Sequence, residues 1–187
     1  KPLIWFPLGI FFFMTVIGPT LLFAQSEIKA SPQEHHPESV SKPDKTPPKK
    51  ILFIGNSFTY WRGGLAQHLK FLSEAMSPPL GYHTKPITRV GASLKVLWKK
   101  TSAVKEIKKG KYDIVILQED IPETSVESFR IYSKKFIDLV RETGARPILF
   151  MAWDYERLNW ISMDEIANAH LEVSRKLKVE VAPVGVS

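Results

Sequence analysis

The sequence predicts an α/β domain in three layers, a mainly parallel sheet sandwiched between helices. Three observations carry this. Short apolar runs rich in β-branched residues alternate with amphipathic segments from residue 51 to the end. Two of the runs, "YDIVILQ" (112–118) and "RPILFMAW" (146–153), lack polar alternation, as strands buried on both faces do. Helical stretches separate successive strands, which calls for crossover connections and parallel pairing.

The first residues stand apart from this pattern. Residues 3–23, "LIWFPLGIFFFMTVIGPTLLF", carry no charge and follow Lys1, the pattern of an export signal. "LLFAQS" offers a cleavage point after Ala24. About 20 apolar residues would also span a bilayer, but Pro7 and Gly18-Pro19 interrupt a continuous helix. Residues 1–24 are therefore read as a signal peptide, or as an N-terminal anchor if uncleaved. Residues 25–49 are rich in Pro, Ser and charge and read as an extended linker. His35 and His36 lie there without further ligands nearby, so no metal site is expected. The expected location is exported, periplasmic or extracellular, with membrane contact only through the N-terminal segment.

The domain is expected over 50–187. "ILFIG" (51–55) is a short buried strand. Leu65, Leu69, Leu72 and Met76 then recur at helical spacing over 64–76, ended by Pro78-Pro79. "YHTKPITRVG" (82–91) reads as an edge strand because Pro86 lacks an N–H. Leu97, Val104 and Ile107 mark one helix over 94–109, and Val126, Phe129, Phe136 and Val140 another over 125–143. The strands at 112–118 and 146–153 flank that second helix. Met163, Ile166, His170, Leu171 and Leu177 define the apolar side of a helix over 163–177, and "VEVAPVG" (179–185) is the last strand.

Charge and composition narrow the function. There is no cysteine, which excludes disulfides, thiolate metal sites and a cysteine nucleophile. The net charge of +7 gathers in the linker and at Lys95, Lys99, Lys100, Lys105, Lys108, Lys109 and Lys111 on one amphipathic segment. Neither group interleaves aromatics with basic residues, so the charge reads as a solvated face and no nucleic-acid partner is expected.

In parallel α/β sheets, ligands bind beyond the carboxyl ends of the strands. The informative residues are thus Asn56-Ser57-Phe58, Gly91-Ala92-Ser93, Gln118-Glu119-Asp120 and Trp153-Asp154. A serine just past a buried strand, where a helical segment begins, is presented beside unpaired backbone N–H groups. Gly55 permits a tight turn, and Asn56 can fold its side chain onto the backbone to hold it. "FIGNSFT" resembles the first block of the SGNH, or GDSL-like, hydrolase superfamily, where Gly-Asp/Asn-Ser carries the nucleophile. "RVGAS" resembles the second block, and "VILQED" falls where the third block lies. The "GNSFT" and "LQE" forms resemble an exported bacterial subfamily. The resemblance runs from residue 50 to the end and implies the flavodoxin-like SGNH hydrolase fold, incomplete at its C-terminus.

It also implies ester hydrolysis through an acyl-enzyme. Ser57 would be the nucleophile, with its own N–H and that of Gly91 steadying the oxyanion. Where the family has an asparagine as third donor, this chain offers Gln118 as a substitute side chain. Asn56, Glu119 and Trp153 would contact the substrate, a small-molecule or saccharide ester; Glu119 alternatively orders its loop or caps the helix near Ser125. No cofactor or metal is implied, and the oligomeric state stays open.

One part is missing. The family's base is a histidine in Asp-x-x-His near the carboxyl terminus, and no such motif occurs here. His68, His83 and His170 fall on a helix, at the far end of an edge strand and on a packed helix face. The expectation is a chain truncated before its catalytic Asp-His and inactive as it stands. The alternatives are a non-catalytic flavodoxin-like ligand-binding module and a carbohydrate-binding domain that uses Trp61, Trp98, Trp153, Tyr155 or Trp160. "GNSFTYWRGG" resembles a Ser/Thr-rich phosphate loop, although Gly-x-x-x-x-Gly-Lys and Gly-x-Gly-x-x-Gly are both absent.

Overall fold

Five parallel strands in the order β2-β1-β3-β4-β5 make the sheet, and the alternation of apolar residues along each decides which layer they enter. The computed structural model describes residues 50–186; the expected signal (1–24) and linker (25–49), with His35 and His36, lie outside these residues. The strands are β1 (Lys50–Gly55), β2 (His83–Thr88), β3 (Ile114–Gln118), β4 (Arg146–Phe150) and β5 (Glu180–Ala182). β2 is an edge, as Pro86 required.

From β1 the chain steps one way to β2 and then the other way through β3, β4 and β5. With a single crossover hand, this reversal sends the helices to opposite faces. Leu52, Ile54, Val115, Leu117 and Leu149 face the larger core, with α3 (Leu94–Lys100), α4 (Ala103–Gly110), α5 (Val126–Glu142) and α6 (Met163–Leu177). Ile51, Phe53, Ile114, Ile116 and Ile148 face a smaller cluster with Leu65, Ala66 and Leu69 of α2 (Gly64–Ala75). The layers are unequal, because α2 packs over β1 and β2 while Ile116 and Ile148 stay partly exposed.

Local signals set the helix ends. Ser125 caps α5 by accepting from the Ser128 N–H at 3.1 Å. At α6 the Ser162 Oγ accepts from the Glu165 N–H, and the Glu165 carboxylate accepts from the Ser162 N–H at 2.8 Å, a reciprocal capping box. The helix expected over 94–109 is two helices. The Thr101 hydroxyl donates to the Leu97 carbonyl and accepts from the Ala103 N–H, which closes α3 and opens α4. The helical segment expected to begin at Ser57 opens with a separate short helix, α1 (Ser57–Tyr60). No helix among the described residues is long and apolar enough to cross a membrane.

Candidate functional site

The carboxyl ends of β1 and β3 lie side by side, with Ile54 opposite Leu117, and Asn56 meets Gln118 and Asp120 there. Backbone accounting at this corner is nearly complete. The Asn56 N–H donates to Gln118 Oε1 at 2.8 Å. The Phe58 N–H donates to Asn56 Oδ1 at 3.1 Å, and the Thr59 N–H to the Asn56 carbonyl at 3.0 Å. That leaves the Ser57 N–H and Ser57 hydroxyl, which have no hydrogen-bond partner among the described residues. Ser57 is partly exposed at the first position of α1.

Gly55 does a different job from the one expected. A Cβ there would meet Thr59 Oγ1 at 2.1 Å and Gln118 Oε1 at 2.6 Å. Glycine is required by this close approach, not by a left-handed turn. Gly91 is the converse case. Its φ of +55° favours glycine, while a Cβ would find nothing within 4 Å. The Gly91 turn is held to the Ser57 corner by the Arg89 N–H donating to the Gly55 carbonyl at 3.2 Å and by Asn56 Nδ2 donating to the Ala92 carbonyl at 3.4 Å.

The carboxamide of Gln118 is committed within the fold. Its Oε1 accepts from the Asn56 N–H and from Thr59 Oγ1 at 3.0 Å, and its Nε2 donates to the Glu119 carbonyl at 2.7 Å. Because a backbone N–H can only donate, the oxygen must face Asn56, so the amide orientation is fixed. Gln118 is thus a buried brace between β1 and β3.

Asn56 and Glu119, expected as substrate contacts, are both buried, and their side chains bond within the fold. Asn56 donates through Nδ2 to Asp120 Oδ2 at 3.0 Å and to the Ala92 carbonyl, and it forms the turn onto Phe58. The Glu119 carboxylate accepts from the Leu94 N–H at 3.1 Å and from the Asp120 N–H at 2.9 Å. It therefore caps α3 and orders its own loop, rather than capping α5. Burial pushes the Glu119 carboxyl up to about 7 against those two N–H donors. Burial, with Glu123 nearby, also pushes Asp120 up to about 6.

Trp153 does reach the corner. Its ring meets Phe58 edge-on at 4.5 Å and remains 43% exposed. Tyr155 stacks on Phe58 at 5.4 Å, and its hydroxyl donates to Asp120 at 3.3 Å. Trp61 and Trp160 are exposed, whereas Trp98 packs edge-on against Phe136 at 4.9 Å. The sequence singled out Phe58 and Asp120 as strand-end residues without giving them a role, and it did not single out Thr59. The available signal was their nearness to two adjacent strand ends.

None of the described histidines bonds to Ser57. His83 pairs with Lys50 at the opposite end of the sheet. The His68 ring faces the Arg62 carbonyl at 3.0 Å. His170 is buried against Phe129, with Nδ1 at 2.8 Å from the Ile166 carbonyl. No group of His, Cys, Asp and Glu among the described residues could hold a metal ion. The basic side chains Lys95 and Lys99 line a separate groove of about 350 Å³ with Ser125, Ser128 and Tyr132, between α3 and α5.

No protein-family model and no curated sequence matches the chain. Solved structures do. A protein assigned as an SGNH hydrolase from Slackia heliotrinireducens superposes with a TM-score of 0.58 at 22% identity, covering 74% of this chain and 80% of that one. An acetyl xylan esterase, AlAXEase, gives 0.58 at 13% identity, over 71% of this chain and 75% of its own. AlinE4, an SGNH-hydrolase family esterase, gives 0.57 at 12%, over 72% and 75%. The fold is that of the SGNH hydrolases.

Proposed function

We propose that this domain, built on the SGNH hydrolase fold, is a serine acyl hydrolase whose nucleophile is Ser57. The observation that carries the proposal is the corner's accounting: the N–H groups of Asn56, Phe58 and Thr59 are spent within the fold, while the N–H and the hydroxyl of Ser57 have no partner among the described residues. In this reading the Ser57 Oγ attacks an ester carbonyl as its proton passes to a base, and the tetrahedral oxyanion takes the N–H groups of Ser57 and Gly91. Collapse expels the alcohol and leaves an acyl-serine, which water then cleaves. Each such donor is worth about 2–4 kcal/mol of transition-state stabilisation.

Serine needs an adjacent base, and the described histidines lie elsewhere. The 187-residue chain should therefore turn over p-nitrophenyl acetate negligibly unaided. Imidazole in the buffer should supply the missing base and raise Ser57-dependent turnover about tenfold or more, after subtraction of the Ser57→Ala background. An increment equal in Ser57→Ala would sink the proposal. Unaided turnover that needs Ser57 yet survives substitution of every histidine would show that another base serves.

For the substrate, the acyl donor, we propose a saccharide or other small ester. Support comes from the exposed indole of Trp153 against Phe58, the residue after Ser57, a face suited to stacking on a sugar ring, and from the acetyl xylan esterase among the structural neighbours. That no histidine among the described residues bonds to Ser57 favours one second reading, a saccharide-binding domain without catalysis. Oligosaccharide binding that persists in Ser57→Ala, with no imidazole-assisted hydrolysis in the parent, would establish it.

A further inference from the structure

The turn carrying Ser57 is gripped on both sides by one carboxylate. Asp120 is 1% exposed just beyond β3, and its Oδ2 accepts from Asn56 Nδ2 at 3.0 Å and from the Tyr155 hydroxyl at 3.3 Å. Oδ1 lies 3.3 Å from the same hydroxyl. The Tyr155 ring is stacked on Phe58, with 18° between the planes. Asn56 and Phe58 are the residues immediately before and after Ser57. Asp120 holds the first directly and the second through Tyr155, and none of these contacts uses the Ser57 hydroxyl.

We infer that Asp120 is a positioning residue of the Ser57 corner, closing a ring Asn56–Asp120–Tyr155–Phe58 that fixes the backbone on both sides of Ser57 and ties it to the Trp153 loop. The inference rests on the proposal that Ser57 is the nucleophile. Its physical basis is donor arithmetic. Asn56 Nδ2 and the Tyr155 hydroxyl both present protons, so the residue between them must accept twice, which an ionised carboxylate does and a carboxamide or an acid does less well. The arrangement is costly, since the carboxylate is buried and no salt bridge reaches it among the described residues. The charged and titratable groups around it are Glu119, Glu123, Tyr155 and Arg157; Arg157 pairs with Glu123 and lies over the Tyr155 ring at 4.7 Å.

Protonation gives one oxygen a proton to donate. The Tyr155 hydroxyl can reverse its role and accept it at Oδ1, while the bond from Asn56 Nδ2 to Oδ2 loses its charge assistance and weakens, so the ring loosens as pH falls. The Asp120 carboxyl, raised to about 6 by burial, places that loosening in a range open to experiment.

Two measurements test the inference with Asp120→Asn and Tyr155→Phe, both close to isosteric. The first is the side-chain amide resonance of Asn56 by nitrogen-15 NMR across pH 5 to 8. In the parent chain it should titrate with a midpoint near about 6. The titration should vanish in Asp120→Asn, and its midpoint should move up in Tyr155→Phe, which loses a bond to the carboxylate. The second is imidazole-assisted, Ser57-dependent turnover. Its kcat should fall about tenfold in Asp120→Asn, with KM held within about twofold. An Asn56 resonance indifferent to pH, or a kcat unchanged in Asp120→Asn, overturns the inference. A resonance that titrates as expected in a chain with no acyl transfer at Ser57 supports the ring and overturns the nucleophile proposal instead.

Discussion

Gly55 shows how one missing methyl group organises the corner. The space that a side chain would fill holds Thr59 Oγ1 and Gln118 Oε1, and these two atoms bond to each other at 3.0 Å. Gly55→Ala must push that pair apart. Overpacking of this kind costs about 1–3 kcal/mol, and the strained Gln118 oxygen would also loosen its bond to the Asn56 N–H. Urea unfolding should show a loss in that range. Thr59→Ala removes the nearest atom, so the double variant should lose less than the sum of the two single losses. Strict additivity would mean that the backbone had moved and that the contact was never tight. Gly55 and Ser57 were legible in the sequence because a short apolar run ending in Gly-Asn-Ser announces a strand end with a hydroxyl beside it. The destinations of Gln118 and Glu119 were not. Their partners are Asn56 and Leu94, fixed by strand pairing and by the entry to α3, and no local pattern encodes either.

At the scale of the element, β4 separates the two faces of the sheet within a pair of consecutive residues. Leu149 is fully buried in the large core beneath α3–α6, while Ile148 lies on the α2 side and keeps part of its surface in water. Leu149→Ala should cost about 2–5 kcal/mol through lost transfer energy and an unfilled cavity. Ile148→Ala should cost about half as much or less, because less apolar area leaves water there on folding. Equal losses in urea unfolding would mean that Ile148 is covered in solution. The same alternation made the sheet readable in advance, since buried runs and one proline were enough to place β1, β3, β4 and the β2 edge. Readability failed where side chains act on the local backbone. Thr101 breaks the helix expected over 94–109 through hydroxyl bonds that leave its apolar spacing untouched. Strands also end sooner than their apolar runs: β4 stops at Phe150 and β5 at Ala182, before Pro183, which has no N–H to donate.

For the whole molecule, three buried ionisable groups set opposing pH dependences. Glu119 is raised from 4.5 to about 7 and Asp120 from 3.8 to about 6, both chiefly by burial. The folded state then binds more protons than the unfolded chain between those values, so the stability they contribute is full at low pH and is lost as pH rises toward 7. His170 is lowered from 6.5 to about 4 by burial, against the small opposing effect of its bond to the Ile166 carbonyl. Here the unfolded chain binds the extra proton, and stability is lost as pH falls from 6.5 toward 4. The Nε2 of His170 is buried with no hydrogen-bond partner among the described residues, so none of them would receive a second proton. The carboxylates held low at the surface, Glu106, Glu165 and Glu172, keep their own pH dependence in variants of the buried groups, so differences between variants isolate the buried groups. One proton of difference changes stability by about 1.4 kcal/mol per pH unit. Between pH 5 and 6 His170→Leu should tilt the curve of stability against pH downward by about that slope, because the opposing group is gone. Glu119→Gln should tilt it upward by a similar amount. Urea unfolding at closely spaced pH values reads both slopes. Curves for His170→Leu and the parent that run parallel from pH 5 to 6 would show that His170 is protonated in the folded core, and therefore that the packing of α6 on α5 admits water to its free nitrogen.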